Sequence, residues 1–275
     1  MTESETPSTL APAPEKAAPA IEVRDLSIGY GSRVVLENLN FRIEPGQIVT
    51  ILGGSGCGKS TLLKHIIGLH KPIRGDILIN GRSIVNAGEQ EKRSIMSEFG
   101  VAYQGGALFR SLSLAENIAL PMEELTNWKR DEIRKRVSEK LALVHLNGFE
   151  HYMPSDLSGG MIKRAAFARA LALDPKLLFF DEPSAGLDPL TSDMLDKVIL
   201  EIREKTHATI MMVTHELPSI FRVSDRVIML SAEKKGVVDD GSPVYLRDHS
   251  ADEYVRTFLS RGGTYQSNCT EPDHA

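Results

Sequence analysis

The sequence predicts an α/β fold in which a core of mainly parallel strands and crossover helices follows an N-terminal antiparallel β-subdomain and carries an inserted helical subdomain. Short β-rich segments dominate from residue 21, charged amphipathic segments fill about residues 105–170, and continuous apolar runs alternate with an amphipathic helix beyond them. Apolar runs of strand length are typical of parallel strands that helices cover on both faces. A chain of 275 residues with 41% hydrophobic content is long enough to bury such a core.

The charge and the cysteine content exclude several classes of function. A formal net charge of -5 and a pI near 5.9 argue against a dedicated nucleic-acid binder, so we expect no nucleic-acid partner. Cys57 and Cys269 lie far apart, which predicts neither a disulfide framework nor a metal cluster and fits a reducing cytoplasm. No apolar run approaches the roughly 20 residues that span a bilayer, so we do not expect the chain to cross a membrane.

The first part of the chain is predicted to be rich in strands. Residues 1–20 are rich in Pro, Ala and Thr and are expected to form a disordered tail, ahead of a domain over residues 21–250. Strands are predicted for "IEVRDLSIGY", "VVLENLNFRI" and "QIVTILGG", and "GDILINGRSI" predicts another strand and a turn. "KSTLLKHIIGL" predicts a helix with its apolar residues on one side and Gly68 near its end.

The predicted helical subdomain occupies about residues 105–170. Within "NWKRDEIRKRVSEKLALV" the apolar residues at helical spacing are Ile133, Val137, Leu141 and Val144. After the subdomain, "KLLFFDE" and "ATIMMVTHE" predict buried strands, and "TSDMLDKVILEIREKTH" between them predicts an amphipathic helix whose apolar stripe includes Met194. "RVIMLSAEKKGVVDDGSPVYL" resembles a closing hairpin, and "ADEYVRTFLSR" predicts a terminal helix within a C-terminal region over residues 251–275.

A glycine-rich loop between a predicted strand and a predicted helix carries the first functional signal. "GGSGCGKST" fits the phosphate-loop spacing G-x-x-x-x-G-K-[ST], and its setting favours that motif over a simple glycine-rich turn. Lys59 would bridge the β- and γ-phosphates, the Ser60 hydroxyl would bind Mg²⁺, and Cys57 would be a small filler. The predicted nucleotide-binding residues of the loop are Gly53, Gly54, Ser55, Gly56, Cys57, Gly58, Lys59, Ser60 and Thr61.

Two adjacent carboxylates end the predicted strand "LLFFD". Asp181 is suited to hold Mg²⁺ through water, and Glu182 is suited to act as the general base that polarises an attacking water. A solvated strand end is the alternative, but the phosphate loop elsewhere in the chain disfavours it. These motifs together predict a nucleotide triphosphatase.

Four further motifs carry a family resemblance: Gln104 after "FGVAYQ", "LSGGM" at 157–161, "SAGLD" at 184–188, and His215 in "MMVTHE". Their order, together with the phosphate loop, resembles the ATP-binding-cassette (ABC) ATPases across residues 21 to about 245. The resemblance implies a P-loop NTPase core of ABC type that binds ATP and Mg²⁺.

In that family two copies face each other head to tail, and the "LSGG" of one chain closes on the ATP of its partner. Ser158, Gly159 and Gly160 at a helix N-terminus suit this anion-binding role. One copy of each motif implies a homodimer, or a heterodimer with a related chain.

The resemblance also implies roles for four residues outside the phosphate loop. Tyr30 matches the aromatic residue that stacks on adenine, although an aromatic at this place could equally cover a strand edge. Gln104 matches the lid-loop glutamine that senses Mg²⁺, and Asp188 matches the loop that signals across the dimer. His215 matches the switch histidine that contacts the γ-phosphate, so it joins Glu182 and Lys59 among the predicted catalytic residues. Arg164 and Arg169, by contrast, are expected to anchor the signature helix structurally.

Two local segments indicate which group of ABC ATPases the chain resembles most. Met161 stands where many solute importers have Gln, and "LSGGMIKRAAFARALALDP" resembles the ATPases of the Mla and Mce lipid-transport systems. "YQGGALFRSLSLAENIALPMEE" is similar to a segment of the same ATPases. This likeness implies a subunit that drives phospholipid transport between membranes, bound peripherally at the cytoplasmic face of the inner membrane. Its implied partners are integral permease subunits and an Mce-type lipid-binding subunit.

Alternatives to lipid transport stay open. An ABC importer of polar solutes would share the catalytic residues, whereas a non-transport ABC ATPase would usually carry fused cassettes, coiled-coil insertions or basic arms. A small-molecule kinase would leave the signature and His215 unexplained. Leu108, Phe109 and Leu112 are candidates to contact a membrane partner, with core packing of the subdomain as an equal alternative.

Overall fold

The computed structural model describes residues 18–31 and 33–260. Most of the predicted tail, residues 1–17, and the segment 261–275 with Cys269 lie outside the described residues. Ala20, just before the first strand, is buried, and its carbonyl accepts a hydrogen bond from the Asn80 N–H at 3.1 Å.

An antiparallel sheet of four strands forms the N-terminal β-subdomain, in the order β2-β1-β4-β5. The strands β1 and β2 were predicted from the two β-rich segments; they pair with each other, and β1 also pairs with β4. The strands are β1 (Ile21–Tyr30), β2 (Arg33–Ile43), β4 (Arg74–Ile79) and β5 (Arg82–Ser83).

A second sheet of six strands forms the core, in the order β10-β9-β3-β8-β7-β6. Its strands β6, β7, β8, β3 and β9 run parallel, and only β10 is antiparallel to its neighbour. Parallel strands end at the same edge of a sheet, so the segments after β3, β7 and β8 meet there. The strands are β3 (Ile48–Gly53), β6 (Phe99–Ala102), β7 (Leu177–Asp181), β8 (Thr209–Val213), β9 (Arg226–Ser231) and β10 (Gly236–Gly241).

Helices cover the core sheet and build the inserted subdomain, where α3, α4 and α5 pack against one another as predicted. None of the helices described between residues 18 and 260 is both long enough and apolar enough to span a bilayer. The helices are α1 (Lys59–Ile66), α2 (Glu89–Met96), α3 (Leu114–Leu125), α4 (Arg130–Leu143), α5 (Gly159–Ala170), α6 (Pro189–Thr206), α7 (Leu217–Val223), α8 (Pro243–His249) and α9 (Glu253–Ser260).

The helix α5 lies unusually close to the core sheet. A Cβ atom added at Gly100 on β6 would lie 1.9 Å from the Ala170 carbonyl oxygen, so only glycine fits at this crossing. Phe167 on the same helix stacks on Phe180 of β7 with ring centroids 4.2 Å apart. These contacts fix α5 against the strands that carry the functional loops.

Two predictions about the second half of the chain were wrong. "SPVYL" does not extend the closing hairpin: β10 ends at Gly241 and Ser242 caps α8, accepting the Tyr245 N–H at 3.3 Å. Pro243 has no N–H for a strand ladder but suits the first position of a helix, which explains the switch. Met194 is 51% exposed, because the buried stripe of α6 runs through Leu195 and its helical neighbours instead.

Candidate nucleotide-binding site

A cavity of about 1100 Å³ opens at the carboxyl edge of the core sheet. It joins the loops after β1, β3, β6, β7 and β8, which are far apart in sequence. The predicted residues that line it are Tyr30, Gly53, Gly54, Ser55, Gly56, Gly58, Lys59, Ser60, Thr61, Gln104, Glu182 and His215. The structure therefore brings the predicted phosphate loop, general base and switch histidine to one site.

The phosphate loop has a backbone that requires glycine. Gly56 and Gly58 have φ angles of 74° and 104°, in the left-handed region that side chains disfavour. A Cβ atom at Gly58 would also lie 2.9 Å from Val35 Cγ1. Gly58 precedes α1 without any side-chain cap, so the first amides of α1 are left for an anion. The loop thus presents N–H groups and the positive end of a helix to the cavity.

Lys59 lies across the phosphate loop. Its Nζ donates to the carbonyl oxygens of Gly53 at 2.9 Å and Gly54 at 3.1 Å, so the ammonium is held at the phosphate-binding surface. Cys57 does not line the cavity; its side chain is buried, and burial raises the pKa of its thiol. A buried neutral thiol fits the predicted filler and not a nucleophile.

Asp181 ends β7 beside the phosphate loop, with Ser60 as a hydrogen-bond partner. Burial, followed by the neighbouring charge of Glu182, raises the pKa of Asp181. Within the described part of the chain, no donor reaches its buried Oδ1 atom. An unpaired carboxylate oxygen beside a serine hydroxyl is a donor set that suits Mg²⁺, which prefers oxygen ligands.

Glu182 lines the cavity, and its backbone is fixed by a hydrogen bond. Its φ angle is 47°, and its N–H donates to the Val213 carbonyl at 2.8 Å. His215 Nδ1 lies 2.9 Å from both oxygens of the Glu182 carboxylate and hydrogen-bonds to Oε1. Glu182 lines the cavity, so its carboxylate is placed to accept a proton from water there.

Two further predicted residues flank the phosphate loop. Gln104 is exposed two residues beyond the end of β6 and lines the cavity. Tyr30 is 50% exposed at the end of β1, and its hydroxyl lies 3.4 Å from Thr61 Oγ1. His70 contacts the edge of the Tyr30 ring at a centroid distance of 5.8 Å. The ring is supported on one side and open at the cavity, a geometry that suits stacking.

The signature residues lie apart from the cavity. Ser158 caps α5 and accepts the Met161 N–H at 3.3 Å, so Gly159 and Gly160 open the helix as predicted. Asp188 caps α6 and accepts the N–H groups of Leu190 and Thr191, each at 3.0 Å. Ser158, Gly159, Gly160 and Asp188 are absent from the residues that line the cavity. One chain does not bring its signature to its own phosphate loop.

Two basic residues of α5 anchor the helix as predicted, and a third, Lys163, makes contacts that were not predicted. Arg164 donates to the carbonyls of Val144 and His145, and Arg169 donates to those of Gly106 and Ala107, which confirms their predicted anchoring role. Lys163 was not singled out by sequence reasoning. It is 7% exposed, and its Nζ donates to the Gln104 carbonyl and, at 3.1 Å, to the Glu182 carbonyl. A lysine in a charged helix gives no sequence signal for such a role.

The candidate partner-contact residues also divide. Phe109 is 52% exposed, and Asn117 holds its backbone through bonds to the N–H at 2.8 Å and the carbonyl at 3.0 Å. Leu108 instead packs against the core of the helical subdomain. Phe109 fits the partner-contact alternative and Leu108 fits core packing.

Comparisons with known proteins agree with this geometry. The ABC transporter family model matches residues 36–185. The chain is 45% identical over 241 residues to the probable ribonucleotide transport ATP-binding protein mkl of Mycobacterium leprae, covering 88% of this chain and 69% of that protein. It is 37% identical over 245 residues to the intermembrane phospholipid transport system ATP-binding protein MlaF of Escherichia coli K12, covering 89% of this chain and 90% of that protein. Among solved structures, the dimeric post-hydrolysis state of an ATP-binding cassette bound to ADP and Pi matches with a TM-score of 0.73 and 29% identity, covering 81% of this chain and 98% of that chain.

Proposed function

The chain belongs to the ABC transporter family, and from that premise we propose that it is the ATP-hydrolysing subunit of a membrane transporter that moves phospholipid between membranes. The observation that supports the ATPase chemistry most is the convergence of the phosphate loop, Glu182 and His215 on one cavity. These groups follow three parallel strands that end at one edge of the sheet, and together they supply the phosphate-binding and proton-accepting groups that ATP hydrolysis needs.

The residues of the cavity divide the binding of ATP between them. The loop amides, the N-terminus of α1 and the Lys59 ammonium hold the phosphates, and the Tyr30 ring stacks on the adenine. Ser60 and Asp181 would hold Mg²⁺, with Gln104 facing it from the lid loop. Mg²⁺, when bound, neutralises charge on the phosphates.

Hydrolysis needs a base and a group that holds the γ-phosphate. In the proposed mechanism Glu182, which lines the cavity, accepts a proton from the attacking water. The water oxygen bonds to the γ-phosphorus, the bond to the β-phosphate oxygen breaks, and ADP and Pi are the products. His215, 2.9 Å from the Glu182 carboxylate, donates toward the γ-phosphate and orients the base.

The separation of the two half-sites supports a dimer. Because Ser158 and Asp188 cap their helices outside the cavity, a second chain is the simplest source of a signature for each ATP. We propose a homodimer that binds integral permease subunits at the cytoplasmic face of the inner membrane. Phe109 is a candidate contact for the permease because it is exposed on the lid-loop side of the helical subdomain.

The proposal that the cargo is a lipid rests on sequence similarity to lipid-transport ATPases. Met161, the "YQGGALF" segment and the identity to MlaF over 90% of that protein all favour a phospholipid-transport system with an Mce-type lipid-binding subunit. Transport of a polar solute is the second candidate, because the name of the mycobacterial relative specifies ribonucleotide transport.

Two variants test the ATPase chemistry. Glu182→Gln removes the base but keeps the side-chain shape, so it should bind ATP normally and hydrolyse it about 10²- to 10⁴-fold more slowly. Lys59→Ala should instead lose nucleotide affinity. Phosphate release and binding of a fluorescent ATP analogue measure the two effects. Rapid turnover by the Glu182→Gln variant would remove Glu182 from the role of base.

Purification in mild detergent from native membranes tests the transport class. Mass spectrometry of the tagged full chain should recover an integral permease, an Mce-type subunit and phospholipid. A permease with a soluble solute-binding protein would favour polar-solute import and would leave the ATPase assignment intact.

A further inference from the structure

The most unusual charged side chain outside the cavity is Lys163, in the second turn of α5. It is 7% exposed, and both of its hydrogen-bond acceptors are main-chain carbonyls, those of Gln104 and Glu182. Lysine is rarely buried unless its charge is matched, because desolvating an ammonium is costly. Such a placement therefore calls for a specific reason.

The two acceptors belong to the two loops that would act on ATP. Gln104 follows β6 and Glu182 follows β7, which are adjacent parallel strands paired from Phe99–Leu177 to Ala102–Phe180. The pairing of β6 with β7 ends there, although the Asp181–Val213 pair still holds the β7 side against β8. One ammonium bonded to both carbonyls sets the separation of the two loops.

Glu182 also has a backbone conformation that needs support. Its φ of 47° lies in the left-handed region, which is strained for a residue other than glycine. The Val213 carbonyl holds its N–H at 2.8 Å, and Lys163 holds its carbonyl at 3.1 Å. The two bonds fix the peptide planes on both sides of the Cα atom, and hence the direction in which the side chain leaves the backbone.

The charges agree with this arrangement. Burial lowers the pKa of Lys163, and the negative charges of Glu182 and Asp181 oppose that change. Lys163 in turn is among the charges that lower the pKa of Asp181 against the larger effect of its burial. The lysine is thus the buried cation that faces the carboxylate pair from the helical subdomain.

We propose that Lys163 is a positioning residue for ATP hydrolysis, which holds the loops of Gln104 and Glu182 in their working geometry from the helix that begins at Ser158. The inference rests on the proposed function of Glu182 as the base. It follows that a small shift of α5 reaches both loops without any contact with ATP, because Lys163 does not line the cavity.

The test compares three variants of the full chain. Lys163→Met keeps the length of the side chain but removes the donors, and should lower kcat about 10- to 100-fold with less than about a threefold change in the KM for ATP. Lys163→Arg keeps a charged donor and should restore kcat to within about threefold of the unchanged chain. Arg164→Met is the matched control, because it also removes two bonds from α5 to carbonyls, yet touches neither loop. Thermal unfolding of each variant reports whether the fold is intact.

The outcomes separate this inference from the proposed function. A kcat loss confined to Lys163→Met, with recovery in Lys163→Arg, supports the positioning role. Unchanged kcat in Lys163→Met beside an inactive Glu182→Gln overturns the inference and leaves the base assignment standing. An equal kcat loss in Arg164→Met would show a general effect of loosening α5, and also overturns it. Fast turnover by Glu182→Gln overturns the proposed base and this inference together.

Discussion

Replacement of Gly160 by alanine is predicted to destabilise the fold because of one methyl group on a neighbouring helix. A Cβ atom at Gly160 would lie 2.5 Å from Thr191 Cγ2, whereas carbon atoms in contact prefer about 3.5–4.0 Å. Gly160→Ala must therefore move Thr191 by about 1–1.5 Å. Thr191 Oγ1 bonds to the Asp188 carboxylate at 2.5 Å, so the displacement is passed to the cap of α6.

The size of the effect follows from two opposing terms. Overpacking costs about 1–3 kcal/mol, and replacing glycine by alanine in a helix recovers about 0.5–1 kcal/mol. The net loss of about 0.5–2 kcal/mol lowers the unfolding midpoint by about 2–6 °C for a domain of this size. ATP hydrolysis should fall by on the order of tenfold, because both displaced helix caps belong to the proposed shared site.

Thr191→Ser supplies a specific rescue. It deletes the Cγ2 atom but keeps the hydroxyl that bonds to Asp188, so Gly160→Ala combined with Thr191→Ser should recover most of the lost stability. Gly159→Ala is the control for stability, since its nearest contact would be Leu187 Cδ2 at 3.4 Å and should be tolerated. Differential scanning calorimetry of the four variants measures the coupling. A Gly160→Ala midpoint equal to that of the unchanged chain, or no recovery with Thr191→Ser, would refute the reasoning.

Two further predictions follow from the cavity. The pKa of Asp181 is raised in the fold, so the fold favours the protonated carboxyl group over the ionised one. The stability that protonation contributes is present at low pH and is lost as the pH rises through the raised pKa. Asp181→Asn should therefore raise the unfolding midpoint by about 1–3 °C at pH 7.5 without ATP or Mg²⁺, with the difference disappearing toward pH 4; a difference independent of pH would contradict this. Tyr30→Ala should weaken ATP binding about tenfold while Tyr30→Phe keeps it, measured with a fluorescent ATP analogue. Equal affinities of the two Tyr30 variants would favour the view that the ring only covers a strand edge.

The sequence predicted the loops of the cavity well because each one sits at the end of a strongly patterned strand. "QIVTILGG", "KLLFFDE" and "ATIMMVTHE" each contain a run of mostly apolar residues, so the ends of these runs, and the polar residues beyond them, are well defined. Since parallel strands end at a common edge, Gly53, Glu182 and His215 could be expected to meet before any coordinates were known. Their distances, including the 2.9 Å from His215 to Glu182, could not, because these depend on rotamers and on loop geometry.

The failures have a different physical origin. Val244 and Tyr245 are residue types typical of strands, but the Ser-Pro pair before them favours a helix start, and the local capping preference outweighed strand propensity. Lys163 was missed for a stronger reason. Its role depends on how close α5 comes to the ends of β6 and β7, and no periodicity within one helix encodes the distance to a sheet.

That distance explains why one helix carries both a Ser-Gly-Gly start and an alanine-rich body. Ala165, Ala166, Ala168 and Ala170 are all buried, and such small side chains let α5 approach β6 until glycine is required at position 100. At this range the amine of Lys163 can reach the carbonyls of the two adjacent loops, which it could not do across a layer of leucines. The same helix therefore offers its N-terminus to an anion at one end and fixes the hydrolytic loops of its own chain along its side. Because α5 is a rigid unit of about three turns, any force that tilts its N-terminus must also move Lys163. In the proposed dimer, the closure of α5 of one chain on the ATP of its partner would thus also move Glu182, the proposed base, of the chain to which α5 belongs.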